Sequence, residues 1–493
     1  MNRLKISPRA DALIESLRDI GYTLETALAD IIDNSITANA GQIDISFSFG
    51  EMEKSCFSIL DDGTGMERQE LLDAMRPGSR NPKDDRDADD LGRFGLGMKT
   101  ASFSQCRRMT VVSRKNGELS LACWDLDHVS ESGEWELLIP EESDIDPSVC
   151  LTFPKDHGTV VLWEKLDRIV DATDSKKTES MFYHKMDLAR KHLEMVFHRF
   201  LKGREKGIRK VKISINGSVL EPFDPFNENN PATTILPEEK IVLNGEIITI
   251  QPYILPHHSK VSKSEYEKYA GEGGYLNNQG FYVYRNGRLL ISGTWFRLIP
   301  KSPLTQLARI RIDLPNNMDD LWKIDVKKSM VQPPAVIKNR LKEIIDKIAG
   351  SSVRVYTNRG CKSQSGITPI WERHARHGEI VYEINRKHPL IQTFSKKLDS
   401  RTEKEFDEIL DMVQMFFPKD MFFSDYAKAP EKTGRKAESV TSEVVNLGKK
   451  YFELVLKNSG QSKEEMVKNL KMTEPFSDWP EIWEKLIKRW MNE

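Results

Sequence analysis

Three short segments near the N-terminus, in a fixed order, constrain this chain more than any other feature. They are Asp30-Ile31-Ile32-Asp33-Asn34-Ser35, Asp61-Asp62-Gly63-Thr64-Gly65-Met66, and Gly92-Arg93-Phe94-Gly95-Leu96-Gly97-Met98-Lys99-Thr100. The intervening pattern says what carries each of them. Residues 9–20 and 23–38 read as helices separated by Gly21-Tyr22, with Thr23 as the N-cap of the second. Residues 42–49 alternate (Ile43, Ile45, Phe47, Phe49), as a half-buried strand does. Phe57 to Leu60 reads as a second strand running into an Asp-Gly turn. The spacing predicts a short helix at 67–76, a helix at 96–104, and strands at 108–114, 118–125 and 158–164. Residues 77–91 are polar, acidic and rich in turn residues, the composition of a mobile loop.

Each segment suits one part of a phosphate-anhydride chemistry. Asp30 and Asn34 stand four residues apart, so they share a helix face. An Asn oxygen is a hard ligand suited to Mg²⁺. A carboxylate one turn away can hold and activate a water. That pairing fits hydrolysis of a metal-bound phosphate anhydride, where catalysis is mostly positioning and charge neutralisation. Asp61 can accept from an exocyclic amine such as that of adenine, while Gly63 and Gly65 let the backbone turn tightly against a flat ring. The glycines of the third segment precede a helix, where backbone N–H groups and the positive end of the dipole can cradle phosphates. Lys99 and Thr100 add a charge and a hydroxyl. Taken singly, each has a blander reading: the polar edge of an amphipathic helix, a common Asp-Gly turn, a glycine-rich loop with a high false-positive rate. The glycine loop also lacks a flanking βαβ pattern and a Walker-type Gly-Lys-Thr. Chance is a poor account of all three in one order within residues 30–100.

The ordered set resembles the gyrase B, heat-shock chaperone, histidine kinase and MutL superfamily of ATPases, the GHKL or Bergerat fold. Ala27-Leu28-Ala29-Asp30-Ile31-Ile32-Asp33-Asn34-Ser35 and the segment from Gly92 to Thr100 look most like the Microrchidia (MORC) branch and its prokaryotic relatives. The resemblance implies ATP and Mg²⁺ as cofactors. Asn34 would bind the metal, Asp61 would read the adenine amine, and Gly92, Gly95 and Gly97 would wrap the phosphates, within a nucleotide-binding set that also takes in Gly63, Gly65, Met66, Arg93, Phe94, Leu96, Met98, Lys99 and Thr100. Gly158-Thr159 looks like the fourth motif, with Thr159 backing the adenine pocket, and residues 77–91 fall where the family keeps its ATP lid. There are two departures. Asp30 stands where the family's general base is usually Glu, shorter by one methylene, about 1.5 Å of reach. Thr37 stands where relatives often have Asp.

Farther along, residues 178–202 read as a long amphipathic helix bridging two blocks. A second strand-rich block follows, at 209–215, 247–254, 280–285, 288–292 and 307–313, and ends in a helix at 334–348. Gly280 to Ile291 reads as a hairpin with Asn286-Gly287 at its turn. Trp322-Lys323-Ile324-Asp325-Val326-Lys327-Lys328-Ser329 sits in a loop ahead of that helix. The order resembles a GHKL transducer domain, in which Lys328 or Lys327 would supply a cation to the γ-phosphate from a long stem. A solvated lysine pair is the alternative. Lys202, Arg204, Lys206, Arg209, Lys210 and Lys212 form a local basic cluster that could touch phosphate backbones or simply face solvent. His184, His192 and His198 lack metal-ligand spacing and read as surface or packing residues.

The expected class is therefore α+β: an N-terminal Bergerat α/β sandwich at 1–175, a connecting helix at 176–203, a transducer-type βαβ domain at 204–350, and a mainly helical C-terminal region. Gly350-Ser351-Ser352 looks like a boundary, residues 351–435 a small α/β domain, 428–439 a linker and 436–493 a helical segment. No apolar run approaches the ~20 residues that cross a bilayer, and no apolar h-region follows the N-terminal residues. Five scattered cysteines (Cys56, Cys106, Cys123, Cys150, Cys361) without a C-x-x-C pair suit a reducing cytoplasm. A net charge of −2 provides no global drive toward nucleic acid. A sensor kinase would need a phospho-accepting His ahead of the site, and residues 1–29 contain none. The readings that remain are a slow ATPase that dimerises as a clamp, an ATP-bound scaffold, and a protein chaperone. The family analogy points the clamp toward DNA and toward partner proteins of a DNA-processing or anti-phage defence system.

Overall fold

The computed structural model describes residues 3, 8–49, 55–78, 97–144, 156–169, 175–203, 205, 207–319, 321–323, 331–360, 368–376, 379–418, 421–422, 442–456 and 462–491. Two compact units divide the chain, 1–349 and 350–493.

The first unit opens with a seven-stranded sheet. Its strands are β1 (Gln42–Ser48), β2 (Cys56–Asp61), β3 (Arg108–Lys115), β4 (Glu118–Asp125), β5 (Gly158–Glu164), β6 (Lys212–Ile215) and β7 (Ser218–Val219). They run in the order β4-β3-β5-β2-β1-β6-β7. Every pairing is antiparallel except β1 with β6. The alternation of β1 does what it predicts, burying Ile43 and Ile45. The central strands β2 and β5 are buried along nearly their whole length, which is why they read as continuous apolar runs.

Helices α1 (Ala10–Arg18), α2 (Leu24–Thr37), α3 (Arg68–Met75), α4 (Gly97–Phe103), α5 (Leu126–Ser132), α6 (Ser175–Val196) and α7 (His198–Lys202) belong to this region. Thr23 is the N-cap of α2, as expected, and its N–H donates to Thr26 Oγ1 at 3.0 Å. The apolar side of α2 (Ala27, Leu28, Ile31, Ile32) packs into one core with Ile43, Ile45, Phe57 and Trp163. Phe182 of α6 closes that core, with centroids 5.2 Å from the Phe47 ring and 5.9 Å from Phe57. Buried Arg18 donates to the Phe103 carbonyl at 2.8 Å and to Asp167 at 2.6 Å, which ties α1 to the end of α4.

A second sheet holds β8 (Thr234–Ile235), β9 (Glu239–Leu243), β10 (Glu246–Ile254), β11 (Gly280–Arg285), β12 (Arg288–Thr294) and β13 (Ala308–Leu314). The order is β12-β11-β13-β10-β8, with β9 on β10, and β11 and β13 run parallel. Helices α8 (Lys263–Ala270) and α9 (Gly274–Asn277) connect β10 to β11. The β11–β12 turn is the expected one: Asn286 and Gly287 take φ of 48° and 81°, the mirror-image turn whose twist matches a hairpin. Helix α10 (Ala335–Gly360) presents Ile337, Leu341, Ile344 and Ile348, one helical stripe, to Ile248, Ile250, Ile310 and Ile312.

Three expectations change. The strand expected at 209–215 with the second block belongs to the first sheet. Buried Ile213 and Ile215 place it beside β1, held by Lys212 N–H on Gly41 O at 2.9 Å and Asn216 N–H on Ile45 O at 2.8 Å. The connecting helix, expected unbroken over 176–203, is interrupted at Phe197 between α6 and α7. Gly350-Ser351-Ser352 lies inside α10, although the compact units do divide at 349/350.

The second unit contains a hairpin, β14 (Trp371–Arg376) with β15 (Glu379–Ile384), and helices Pro389–Ser395, Ser400–Met415, Ser442–Tyr451, Lys463–Lys471 and Trp483–Trp490. Its core gathers Tyr451, Leu470, Phe476, Trp483, Ile487 and Trp490. Ile380-Val381-Tyr382-Glu383-Ile384 in β15 reads as strand-like from the sequence, whereas Trp371-Glu372-Arg373-His374-Ala375-Arg376 lacks apolar alternation. Hydrogen bonds cross the division expected at 435/436: Ile370 N–H donates to Glu474 at 2.9 Å, and His388 Nε2 lies 2.9 Å from the Glu474 carbonyl oxygen. Residues 428–439 lie outside the described residues.

Phe57 is fully buried between α6 and Trp163. Phe57→Ala is expected to lower the stability of the first unit by about 3–5 kcal/mol, read from the urea midpoint of its unfolding transition.

Candidate active site

Helix α2 carries the first motif with its polar residues in unlike settings. Asp30 and Asp33 are buried, at 3% and 1% exposure, whereas Asn34 is open to solvent. A buried carboxylate needs donors, and both have them. Tyr22 Oη donates to Asp30 Oδ2 at 2.7 Å. Arg288, at the start of β12, donates from Nε to Asp33, with oxygens at 3.2 and 3.3 Å, and its Nη2 lies 3.8 Å from Asp30 Oδ1.

The second motif joins the first through side chains. Ser35, one residue past Asn34, donates to Asp61 Oδ2 at 2.8 Å, and Gly63 N–H donates to Asp61 Oδ1 at 2.9 Å. Burial pushes the Asp61 carboxyl above the usual range, opposed by the hydrogen bonds from Ser35, Gly63 and the Thr159 backbone. The turn after Asp61 is closely packed. A Cβ on Gly63 would stand 2.8 Å from the Ala38 carbonyl oxygen. One on Gly65, whose φ is 67°, would stand 2.0 Å from the Arg114 carbonyl oxygen. Both glycines are therefore required by close backbone approach.

Sheet register supplies the rest. Asp61 of β2 is paired with Thr159 of β5, and Thr159 with Ser113 of β3. The Thr159 and Ser113 hydroxyls are 2.9 Å apart, and Met66 N–H donates to Ser113 Oγ at 2.8 Å. Asp61, Thr159 and Ser113 thus form one polar row across three adjacent strands, in an otherwise apolar part of the sheet. Met66 itself packs against the core, as does Met98.

Of the third motif, Gly97 to Thr100 are described. A Cβ on Gly97 would lie 3.6 Å from Asp30 Oδ2, so the start of α4 abuts the first motif. Lys99 is buried, and its ammonium donates to the Ala74 carbonyl at the end of α3 at 2.6 Å. Burial lowers its pKa to about 8. Thr100 is fully buried, its hydroxyl 3.4 Å from Gly97 O. Gly92, Arg93, Phe94, Gly95, Leu96, Lys327, Lys328 and residues 79–91 of the expected lid lie outside the described residues. The basic cluster is partly consumed by the fold. Lys202 pairs with Asp224 at 3.0 Å and Arg209 donates to the Asn39 carbonyl, while Lys210 and Lys212 are exposed. His184 is exposed, and buried His198 sits 2.9 Å from Tyr284 Oη.

Tyr22, Ser113 and Arg288 stand at the site without being singled out in the sequence. Tyr22 looks like punctuation between two helices. Ser113 is visible only through strand register. Arg288 follows a hairpin turn, where a charged residue ordinarily faces solvent. Together the described residues provide a buried acceptor for an amine, an exposed hard oxygen ligand, and a buried carboxylate with fixed donors. A divalent metal bound with nucleotide phosphate fits this donor set, since Asn34 presents a neutral amide oxygen at the exposed side of α2.

Comparison with known proteins agrees. Residues 22–159 match the family model for histidine kinase-, DNA gyrase B- and HSP90-like ATPases. That part of the chain is similar to this superfamily, the GHKL class. Its relatives include the ATPase morc-1 of Caenorhabditis elegans, 32% identical over 92 residues, which is 19% of this chain and 10% of that protein. The ATPase MORC2B of Mus musculus is 28% identical over 116 residues, 23% of this chain and 11% of that protein. The chain thus spans about a tenth of the length of these relatives. A crystal structure described as the N-terminal domain of a DNA repair protein covers 71% of this chain and 99% of its own, at 14% identity and a TM-score of 0.41.

Two outcomes test the site. Asp61→Asn is expected to weaken ATP binding by about ten- to a hundredfold, the worth of one charge-assisted hydrogen bond, with the melting temperature within a few degrees of the parent; isothermal titration calorimetry and thermal unfolding read the two. Because burial raises the Asp61 pKa, its neutral form favours the folded state at acid pH, and that contribution is lost as pH rises through the raised value. An ionised carboxylate accepts from an amine better than a neutral carboxyl does, so ATP affinity is expected to fall on acidification at a pH above the usual carboxylate range.

Proposed function

We propose that this chain binds ATP with Mg²⁺ and hydrolyses it slowly, using the cycle to close and reopen a dimeric clamp. The observation that carries the reading is the bonded series from Asp61 through Ser35 to the α2 face holding Asn34 and Asp30, with Gly97 against Asp30. In this reading Asp61 accepts from the adenine amine, and Thr159 and Ser113 fix its surroundings. Asn34 would hold Mg²⁺, which when bound neutralises phosphate charge. Asp30 orients and deprotonates the attacking water, with Tyr22 holding the opposite carboxylate oxygen. Gly92, Gly95 and Gly97 cradle the phosphates, and Lys328 or Lys327 reaches the γ-phosphate. The second sheet acts as the transducer.

Family likeness extends the proposal to a DNA-handling or defence context, to partner proteins and to a cytoplasmic setting. MORC ATPases are the relatives of the nucleotide domain. Among the described residues no helix is long and apolar enough to cross a membrane. A scaffold that holds ATP with little turnover is the second reading, and the shortened carboxylate at Asp30 favours it.

ATP turnover with Mg²⁺, with and without double-stranded DNA, separates the two. In the clamp reading Asp30→Asn and Asn34→Ala each lower turnover at least a hundredfold, Asp30→Asn leaves ATP affinity intact, and DNA raises the parent's rate. ATP binding with no turnover under any condition favours the scaffold. No ATP binding refutes both.

A further inference from the structure

Arg288 is the feature that neither the family likeness nor the sequence motifs account for. It opens β12 of the second sheet, yet its side chain is buried against α2 beside the first. Its donors are divided. Nε serves Asp33, Nη1 donates to the Leu289 carbonyl at 2.8 Å, and Nη2 stands 3.8 Å from Asp30 Oδ1. Tyr22 occupies the other oxygen of Asp30 at 2.7 Å.

We propose that Arg288 is a positioning residue for Asp30, so that the water-orienting carboxylate is competent only while β12 is docked on α2. The terminal torsion of an aspartate is broad and roughly twofold. A partner on each oxygen, approaching from a different element, holds it in one orientation. Asp33 serves as the anchor: Nε is shared between its two oxygens, Nη1 is held by the Leu289 carbonyl, and these two points set the guanidinium plane that turns Nη2 toward Asp30. Only a planar fork does both at once; a lysine ammonium on Asp33 carries no second nitrogen for Asp30. His192 of α6 faces the same guanidinium. Burial first, and then the Arg288 charge, push its pKa down to about 4, so it stands neutral there at pH 7. Among the described residues the carboxylates paired with Arg288 are Asp33 and Asp30 on α2, and Glu25 acts on His192 in the opposite sense to Arg288.

This inference rests on Asp30 being the water-activating group. The test uses the full chain, ATP and Mg²⁺, with three measurements on each variant: melting temperature, ATP affinity and turnover. Arg288→Lys preserves the charge opposite Asp33, so a purely structural role predicts parent-like values throughout. Positioning predicts an unchanged melting temperature, ATP affinity within about threefold, and turnover down at least tenfold. Asp33→Asn combined with Arg288→Gln removes the Asp33–Arg288 pair together, so Asp33 is not left as an unpaired charge, while Asp30 keeps its Tyr22 donor. It is expected to fold and bind ATP, and to turn over as poorly as Arg288→Lys. Turnover within threefold of the parent in either variant overturns the proposal, as does a loss that tracks falling stability and affinity. Asp30→Asn with full turnover would instead sink the assignment of Asp30. Asp30→Asn inactive beside an active Arg288→Lys sinks this inference alone.

Discussion

A carboxylate shut away from water must find a donor, and α2 carries two of them one turn apart. Asp30 and Asp33 sit on a helix whose opposite side is embedded in the first core. Leaving either without a partner would be strongly destabilising. Tyr22 answers one of them from the start of the same helical segment. Arg288 answers the other from the far sheet. That requirement shapes the first unit: the hairpin β11–β12 has to be placed where its first residue reaches back across more than two hundred positions of sequence to the nucleotide helix. Tight Asn-Gly geometry at its turn sets where β12 begins.

A second constraint is register. Asp61, Thr159 and Ser113 come from three strands that are far apart in sequence and adjacent in the sheet. Sliding β5 by one residue would turn Thr159 to the opposite face and bring an apolar side chain against Asp61. The glycines on either side prevent that slide. Gly158, at a φ of 131°, has room for a hydrogen and nothing larger against the Asp61 carbonyl, 2.1 Å from where a Cβ would lie. Gly65 meets the Arg114 carbonyl in the same way. Backbone close-packing therefore fixes the polar row as firmly as its hydrogen bonds do.

Much of this was legible beforehand for a physical reason. Alternation in β1, the continuous apolar runs of β2 and β5, and the capped amphipathic α2 are local signals, and each appears where its pattern implies. The Gly63 contact to Asp61 is also short-range, inside the Asp-Gly turn that the motif announces, whereas Ser35 reaches Asp61 across 26 positions. What stayed hidden was long-range. Residues 212–215 look like the first strand of a new block, and only parallel pairing with β1 assigns them to the old one. The contact of Lys99 with a carbonyl at the end of α3 is likewise invisible in a string of letters. Arg288 looks like an exposed turn residue until the second sheet is laid against α2.

The late arrival of β6 and β7 has a consequence for the order in which the molecule is made. A chain emerging from the ribosome presents α2, β1 and both halves of the polar row well before residue 219, yet the outer edge of β1 has no neighbour until then. During that interval a strand with open N–H and C=O groups is on offer to any other strand nearby. The long helix α6 is synthesised inside the same window and packs on α2. The nascent nucleotide domain thus has its lid of helix before its last rung of sheet, and its own downstream chain is the partner that closes the ladder.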